Sequence, residues 1–275
     1  MKLHDVIEFA LHALQGYLTR TLLTLLAMAI GVASVVLLTT LGEGARLYVS
    51  EQFSSLGTNL LIILPGRTET TGTAPPLVGG TTRDLTLQDA MALQRSRHVR
   101  QLAPIIVGAA PVSFGQLDRE VTVIGSTASL FDVRKLDMLM GKFLPELEMD
   151  RASQVCVLGY KLKKELFGHQ RALGQWVRVS QDRCRIVGVL AEEGISIGVD
   201  MGDVLIMPVA SAQRLFNSST LFRILVEAKH KDVIEKAKQD IRRIIMERHE
   251  GEEDITILTQ DSLLATFNKI LSTLT

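Results

Sequence analysis

The 275-residue sequence is poor in several residue types that a nucleic-acid-binding protein would need. Aromatic residues make up only 5%, and the rings do not alternate with basic residues as they do on surfaces that bind single strands. Thirty basic and thirty acidic side chains give a formal net charge of zero, so no global field attracts the chain to phosphate backbones. We therefore predict no nucleic acid among its partners.

Catalytic motifs are missing as well. The sequence has no P-loop, no HExxH, no GxSxG and no paired carboxylates at a predicted strand end. The histidines that lie beside predicted element ends among charged residues are typical of surface positions: His98, His169, His230 and His249. We predict no catalytic residue, no cofactor and no metal, and we keep an anchored enzyme only as a third hypothesis, at about one in twenty.

Two clusters of charged residues have both an ordinary and a functional interpretation. Calcium binding is considered for the acidic segment, but its carboxylates lack the spacing of a calcium loop, so a flexible acidic loop is favoured. For the basic cluster, a solvated helix face is favoured over a phosphate site. The acidic residues are Glu192, Glu193, Asp200 and Asp203, and the basic residues are Lys161, Lys163, Lys164 and Arg171.

Cysteine is scarce, since the chain contains only Cys156 and Cys184. They occur in QVCVLG and DRCRIVGVL, which are predicted buried strands, and they have no CxxC spacing, so a metal site is not expected. Two buried thiols are favoured over a disulfide. A disulfide would require that the two strands be neighbours and that the domain lie outside the cytoplasm.

What the chain does have is one long segment without charge. No residue between Arg20 and Glu43 is charged, and residues 21–42 would form a helix roughly 33 Å long, enough to span a bilayer. A secretory signal cleaved after Ala45 is the weaker alternative, because signal peptides have a shorter apolar region. The span carries a strip of small residues at which a partner helix can approach closely: Ala27, Gly31 and Ser34.

The segments that flank this span are also predicted to be helical. Residues 1–18 place apolar side chains at helical spacing, as in an amphipathic helix that lies in the headgroup region. The transmembrane helix and a rigid stalk occupy residues 19–57. Lys2 and Arg20 favour a cytoplasmic N-terminus, which places the domain after the stalk on the outer side.

Downstream of the stalk we predict an α+β domain. Residues 58–111 and 217–260 each have the order strand, helix, strand, which indicates two βαβ units in a split ferredoxin-like pairing around one sheet. Between them, residues 112–216 contain short alternating segments and form an inserted β-rich subdomain. The Gly-, Thr- and Pro-rich stretch 66–84 is either a solvated connector or a tip that meets a partner.

Local signals refine the first unit. Thr86 and Asp89 have the spacing of a capping box before a short helix. Residues 99–115 are predicted to be extended, but Pro104 and Pro111 are expected to break the strand.

Similar signals refine the second unit. A helix is predicted over residues 232–248, with Asp232 as its N-cap, and a strand over 254–260. The apolar face of the helix consists of Val233, Ile234, Ala237, Ile241, Ile244 and Ile245.

Several strings of the sequence resemble the MacB-type family of ABC transporter permeases, which includes MacB-, FtsX- and LolCE-like members. Each string alone is weak, but in this order and at these separations they are specific to the family and cover nearly the whole chain. They are TRTLLTLLAMAIGVASVVLLTTLGEGAR, SLGTNLLIILPG, LTLQDAMAL, VCVLGYKLKKELFG, RIVGVL, SAQRLF and DSLLATFNKILSTLT.

The resemblance implies a permease subunit of the bacterial inner membrane, with a single-pass anchor and its main domain in the periplasm. Such a subunit contacts membrane lipid, forms a homodimer or pairs with a second permease subunit, and works with a separate ABC ATPase subunit and a periplasmic adaptor protein. It transmits ATP-driven helix movement to its periplasmic domain for export or envelope mechanotransmission. That domain has a porter-like part, which matches the two strand-helix-strand units, and an inserted β-rich part.

The chain departs from the family at its C-terminal end. Residues 261–275 are interpreted as the truncated start of a second transmembrane helix, and three helices of the family pattern would be missing. Because the segment that contacts the ATPase lies in that part of the family pattern, this chain alone is not expected to couple to ATP hydrolysis. The alternative to a permease is a single-pass, membrane-anchored periplasmic binding or sensory module formed by residues 58–260.

Overall fold

The computed structural model of the chain describes residues 18–54, 59–66, 83–192, 195–196, 199–259 and 262. The chain divides near residue 51 into two compact units, of which the first contains most of the N-terminal helix and the second contains the β-sheet. Three predicted segments lie wholly or largely outside the described residues: the amphipathic helix over 1–18, the loop over 66–84 and the membrane segment over 261–275.

The N-terminal helix, α1, spans Leu18–Ser54 without interruption. Its portion Leu18–Gly44 is long and apolar enough to cross a membrane, and none of it is buried. Large apolar side chains such as Met28 and Leu37 are 74% and 70% exposed. Exposed apolar surface is unfavourable in water at about 25 cal/mol per Å², so this surface requires a cover of lipid or protein. The prediction of an apolar helix over residues 21–42 is confirmed.

The second unit contains five α-helices and twelve strands among the described residues. The helices are α2 (Leu87–Leu93), α3 (Leu130–Arg134), α4 (Tyr160–Phe167), α5 (Val209–Phe216) and α6 (Ile234–Arg248), and 3₁₀ turns span Met201–Asp203 and Lys231–Val233. The strands are β1 (Leu60–Pro65), β2 (Val99–Phe114), β3 (Leu117–Ser126), β4 (Met138–Gly141), β5 (Val155–Leu158), β6 (Trp176–Val179), β7 (Asp182–Leu190), β8 (Ile195–Ser196), β9 (Val199–Asp200), β10 (Val204–Pro208), β11 (Arg223–Ala228) and β12 (Ile255–Thr259).

Ten of these strands form one sheet. Nine follow the order β12-β1-β11-β2-β3-β10-β5-β7-β4, and β6 pairs with both β2 and β7. Strands β8 and β9 form a separate two-stranded pair. The strands predicted between residues 112 and 216 therefore extend the sheet that begins with β12.

The four strands at one end of the sheet come from both predicted strand-helix-strand segments. β1 lies between β12 and β11, and β11 lies between β1 and β2, with every neighbouring pair antiparallel. β1 is thus parallel to β2, and β11 is parallel to β12, with one strand of the other segment between them. The predicted order of elements is present in one sheet, and each parallel pair is split by a strand of the other segment, as a split pairing requires. The detailed description as two βαβ units is not confirmed.

Strand β2 continues through both prolines, so the expected breaks at Pro104 and Pro111 are wrong. β2 pairs with β11 over residues 99–105 and with β3 over residues 106–114. Pro104 pairs with β11 on one side, and on the other side the pairing with β3 has ended. Pro111 pairs with β3 on one side, and on the other side it lies between the residues that pair with β11 and those that pair with β6. Each proline therefore has one side without a ladder partner, where its missing N–H breaks no hydrogen bond. The boundary predicted between residues 111 and 112 falls inside this strand.

The two cysteines form a disulfide. Cys156 on β5 and Cys184 on β7 have Cα atoms 5.8 Å apart, and both side chains are buried. The preference for two free thiols is wrong, because the parallel pairing of β5 with β7 brings together residues that are 28 positions apart. The bond ties two strands of the β-rich part of the sheet.

The sheet carries a hydrophobic core on each face. Side chains of α2 and α6 pack with residues such as Ile224 and Val226 on one face. Side chains of α3 pack with Leu225 on the other face, as the two-residue period of a strand requires. The sheet is thus the central layer of this unit, with helices on both faces.

Helix α6 buries the apolar face that the sequence predicts. Asp232 does not cap it, however, since it lies within the 3₁₀ turn that precedes Ile234, and no side chain makes a cap hydrogen bond there. Ala237, Ile241 and Ile245 are buried, and Val233, Ile234 and Ile244 pack against them.

Candidate functional site

The apolar helix α1 is the first candidate site. Ala27, Gly31 and Ser34 are spaced four and three residues apart, so they share one side of the helix, and all three are exposed. A Cβ atom added at Gly31 would meet nothing within 4 Å among the described atoms. The Ser34 hydroxyl donates to the carbonyl of Ile30 at 2.8 Å, which satisfies this polar group within the helix. The strip is therefore compatible with hydrocarbon or with a partner helix.

The second candidate site is a buried group of charged side chains in the sheet-containing unit. Asp89, in the first turn of α2, is 1% exposed. Its carboxylate accepts the Thr86 N–H at 2.9 Å and the Thr86 hydroxyl at 2.7 Å, so the predicted capping box is confirmed. At the end of α6, Arg248 Nε donates to the other carboxylate oxygen at 2.5 Å. Asp89 therefore joins the two helices of the four-stranded part.

A histidine extends this group toward β12. His249 Nδ1 lies 2.7 Å from both carboxylate oxygens of Asp254, and Nε2 lies 3.4 Å from Asp89. His249 is 5% exposed, so its prediction as a surface residue is wrong, because the carboxylates on both sides draw the ring into the interior. His169 and His230 are exposed, as predicted. We refer to Asp89, Arg248, His249 and Asp254 as the charge cluster.

The charge cluster holds Asp89 in its ionised form. Burial raises the pKa of the Asp89 carboxyl, but hydrogen bonds from Arg248, Thr86 and His249 together outweigh burial and bring the pKa below its ordinary value. The carboxylate is thus charged at neutral pH, with donors from both helices. The cluster fixes α2, the end of α6 and the start of β12 relative to one another.

Sequence reasoning located only part of the charge cluster. The capping-box spacing identified Asp89, but nothing local indicates that Arg248 and His249 approach it from about 160 positions away. The one available signal is the charged string RHEGEED, which follows the apolar face of α6 and contains both Arg248 and Asp254.

A cleft between α2 and α6 contains a further polar group. Ser96 Oγ donates to Asp240 Oδ2 at 2.7 Å, and His98 Nδ1 lies 2.8 Å from the same oxygen. Hydrogen bonding from Ser96 and then from His98 lowers the pKa of Asp240, against the opposing effect of burial. Because both side chains contact the aspartate and not each other, the group lacks the serine–histidine contact that activates a nucleophile. The cleft has a volume of about 630 Å³ and is also lined by Arg95 and Arg97.

Where they are described, the acidic and basic clusters of the sequence meet only through Lys161, and Asp203 is paired with Arg119 from outside both clusters. Arg119 donates to Asp203 at 2.5 Å, and Lys161 Nζ lies 3.6 Å from Asp200. Glu193 lies outside the described residues. No group of three potential metal ligands occurs in the part of the chain that the structure describes.

An exposed apolar helix that is followed by an α+β unit is typical of membrane-anchored domains. Comparison with known proteins makes this class more specific.

A family model described as the MacB-like periplasmic core domain matches residues 21–244. The chain is 31% identical over 266 residues to the pyoverdine export ATP-binding/permease protein PvdT of Pseudomonas syringae pv. syringae (strain B728a), covering 96% of this chain and 39% of that protein. It is 32% identical over 264 residues to the macrolide export ATP-binding/permease protein MacB of Hyphomonas neptunium (strain ATCC 15444), covering 95% of this chain and 40% of that protein. The chain therefore belongs to the MacB-like periplasmic core domain family, as the resemblance of its sequence strings indicated.

Solved structures share the fold. The periplasmic region of MacB from Actinobacillus actinomycetemcomitans superimposes with a TM-score of 0.66 at 21% identity, covering 80% of this chain and 98% of that one. The extracellular domain of the noncanonic ABC-type transporter YknZ from Gram-positive bacteria gives a TM-score of 0.60 at 19% identity, covering 73% of this chain and 100% of that one. The chain spans about two fifths of the length of the curated relatives it matches.

Proposed function

We propose that the chain is the permease portion of a MacB-type ABC transporter, and that it passes ATP-driven movement of its membrane helix to its periplasmic domain for export or envelope mechanotransmission. The observation that carries this proposal is the continuity of α1 over Leu18–Ser54. The same helix that is apolar enough to cross a membrane continues almost to Leu60, where the sheet begins.

The length of α1 supports this role. Its 37 residues extend about 55 Å at 1.5 Å per residue, whereas the hydrocarbon core of a bilayer is about 30 Å thick. Several helical turns therefore remain beyond the span. Proline is the commonest cause of a sharp kink, and α1 contains no proline and is helical throughout.

The structure of the receiving unit supports the proposal as well. β1 follows α1 in the chain and pairs directly with β12, the last described strand. The charge cluster holds the start of β12 against α2 and α6 through buried ionic contacts. A movement that enters at β1 would thus shift the four-stranded part as one piece, since packed interiors transmit displacement rather than absorb it.

The proposed partners follow from the two faces of α1 and from the relatives. Membrane lipid covers the apolar surface, and the strip of Ala27, Gly31 and Ser34 packs against a second copy or a second permease subunit. ATP hydrolysis is supplied by an ABC ATPase subunit, and a periplasmic adaptor protein contacts the outer domain. The two relatives described above are ATP-binding/permease proteins by name, and we propose that this chain depends on a separate ATPase.

The disulfide supports a periplasmic location for the sheet-containing unit. Disulfides form and persist in oxidising compartments such as the bacterial periplasm and are rare in the cytosol. The bond between Cys156 and Cys184 therefore fits a single-pass inner-membrane protein whose main domain lies on the outer side.

Association with an ATPase tests the proposal directly. The full chain would be co-expressed with the remaining permease helices of a family member and with its ABC ATPase. We expect the chain to co-purify with the ATPase and to change its Trp176 emission when ATP is added. Absence of association in this reconstitution would refute the permease role.

A helix-breaking substitution tests transmission in the same assembly. Val49→Pro removes a hydrogen bond of α1 and clashes with the preceding turn, at about 3 kcal/mol or more, which introduces a kink beyond the apolar span. We expect V49P to retain ATPase association and to lose the ATP-dependent emission change, whereas the matched control V49A keeps both. An unchanged response in V49P would exclude transmission through α1.

Gly31→Leu tests the packing strip separately. A leucine at this position holds the backbone of a partner helix away, so we expect several-fold weaker association of residues 18–44 in a membrane helix-association assay. Val32→Leu places the same leucine side chain at the neighbouring position outside the strip and serves as the control. Equal association of G31L and wild type would exclude the strip as a packing surface.

A second candidate function is a membrane-anchored binding or sensory module, which the cleft between α2 and α6 favours. Arg95 and Arg97 give the cleft positive charge suited to an anionic ligand. Arg243, in contrast, donates to Asp240, and Glu247 adds a negative charge. This candidate predicts ATP-independent binding of a phosphate- or carboxylate-bearing envelope component that R95A/R97A abolishes. Failure of the wild-type chain to bind any such component would refute it.

A further inference from the structure

The outward face of strands β6 and β7 carries an arrangement that the roles above do not use. Trp176 and Arg178 on β6 lie directly opposite Arg185 and Arg183 on β7. Trp176 is 50% exposed, and the three arginines are exposed as well. The alternate residues of both strands, such as Val177, point into the core. We call Trp176, Arg178, Arg183 and Arg185 the arginine face.

The positive charge of the arginine face is unbalanced within the described part of the chain. Arg178 and Arg183 form a directly opposed pair of like charges, which is destabilising. No described carboxylate, including that of the adjacent Asp182, forms an ion pair with any of the three arginines. Arg185 Nε donates only to the carbonyl of Gly174, at 3.3 Å. A partner that supplies carboxylates would remove this repulsion.

The composition of the arginine face is that of an interface centre. Trp176 is the single tryptophan of the chain, and half of it is in contact with water. Tryptophan and arginine are the residue types most enriched among those that dominate binding energy at protein interfaces. Guanidinium groups also bind carboxylates in a bidentate manner, which gives such contacts a fixed geometry.

A complementary acidic surface lies on the same unit. Glu146, Glu148 and Asp150 are exposed alternate residues that follow β4, and no ion pair to them occurs among the described residues. Lys142 and Arg151 flank them, so the negative charge is concentrated at the centre of the segment. We call residues 146–150 the acidic segment.

The two surfaces carry opposite charges. Arg183 and Arg185 are alternate residues of β7 and lie about 6.6 to 6.8 Å apart, whereas the acidic segment follows β4 outside any strand. The backbone that leads into the acidic segment is fixed beside β7, because the Lys142 N–H donates to the Val187 carbonyl at 3.0 Å. The acidic segment thus begins a few residues after a backbone contact with β7, and within the described residues of one copy no ion pair joins it to the arginine face.

We propose that the arginine face of one copy docks against the acidic segment of a second copy of this chain, in a two-fold arrangement in which each copy supplies both surfaces. A two-fold interface uses the same patch on both copies, so the patch must be complementary to itself. The arginine face and the acidic segment together meet this requirement. Since the formal net charge of the chain is zero, attraction between copies arises from these local surfaces and not from a global field.

Charge reversal with rescue tests this proposal on the full chain in detergent. Association would be followed by sedimentation velocity and by the emission of Trp176, which reports the interface alone because no other tryptophan is present. We expect the wild type to dimerise with a shift of emission to shorter wavelength, and we expect R178E/R183E and E146R/E148R each to weaken association by about tenfold or more. A mixture of the two variants restores both contacts and returns the dimer and the emission shift.

The matched control is K164E/R171E, which makes the same change in charge at exposed positions outside both surfaces. It leaves association unchanged. Normal association of R178E/R183E, or the absence of rescue in the mixture, overturns the proposal. So does a dimer whose Trp176 emission does not change with protein concentration, because such a dimer is held together elsewhere. If the arginine face instead binds an acidic segment of a different protein, Trp176 emission will not change with the concentration of this chain.

Discussion

His249 and Asp254 face each other inside the sheet-containing unit, with Nδ1 of the histidine 2.7 Å from both oxygens of the carboxylate. The contact joins the end of α6 to the residue that precedes β12. Because β12 pairs with β1, and β1 is the first strand after α1, this contact stiffens the place where the chain enters and leaves the sheet. The remaining members of the charge cluster, Asp89 and Arg248, tie the same place to α2.

Asp89→Asn removes the central anion of the charge cluster. We expect it to lower the free energy of unfolding by about 3 kcal/mol, because a buried ion pair that loses one partner leaves an uncompensated charge. The value lies at the low end of the range for such pairs because Arg248 is only partly buried. Urea denaturation of the full chain in detergent at neutral pH measures this change. Glu252→Gln, at an exposed position in the following turn, is the control with an effect below about 0.5 kcal/mol. Equal losses in the two variants would contradict the account.

The pKa of Asp89 predicts how the free energy of unfolding depends on pH. The folded pKa of Asp89 lies below its unfolded value, so its contribution is complete above about pH 4 and is lost as the pH falls through the folded pKa. The difference in stability between wild type and D89N should therefore shrink as the pH is lowered from 5 toward 3. A difference that stays constant over this range would show that ionisation of Asp89 does not stabilise the fold.

The disulfide predicts a loss of stability on its removal. Replacing both cysteines, in C156A/C184A, should lower the free energy of unfolding by about 3 kcal/mol, since the bond closes a loop of 28 residues. Both sulfurs are buried, so alkylation of the native protein without reductant should modify neither cysteine. Mass spectrometry after alkylation provides the measurement, and modification of both cysteines before unfolding would contradict the assignment.

Replacing Arg223 is expected to stabilise the fold, whereas the two substitutions above destabilise it. It is 9% exposed at the start of β11, its Nε has no hydrogen-bond partner, and no ion pair to it occurs among the described residues. Burial, followed by repulsion from Arg134, lowers its pKa to about 10. We expect Arg223→Met to raise the free energy of unfolding at pH 7 by about 1 kcal/mol, because it removes a desolvated charge and keeps the volume of the side chain. Thermal unfolding measures this, with Arg171→Met as the exposed control, and a clear loss of stability in R223M would contradict the account.

The features that were predicted correctly are local in sequence. The helix over residues 21–42 follows from one uncharged run, and the capping box follows from the three-residue spacing of Thr86 and Asp89. The apolar face of α6 follows from a period of 3.6 residues. In each case the interacting residues lie within a few turns or positions of one another.

The features that were missed depend on long-range pairing. Sequence patterns cannot show that β5 and β7 place Cys156 beside Cys184. The continuity of β2 through Pro104 depends on where β3 stops pairing. His249 is held by the nearby Asp254 and also by Asp89 on α2, and no local signal connects Asp89 to it.

We propose that α1 crosses the membrane and that the sheet-containing unit lies on its outer side, and cysteine labelling measures this sidedness. The native cysteines are bonded and buried, so Lys164→Cys, at an exposed position on α4, provides the single reactive thiol. We expect a membrane-impermeant maleimide to label K164C in intact spheroplasts, and to label the control Lys2→Cys only after permeabilisation. Labelling of K164C solely from the cytosolic side, or recovery of the chain in the soluble fraction, would contradict the account.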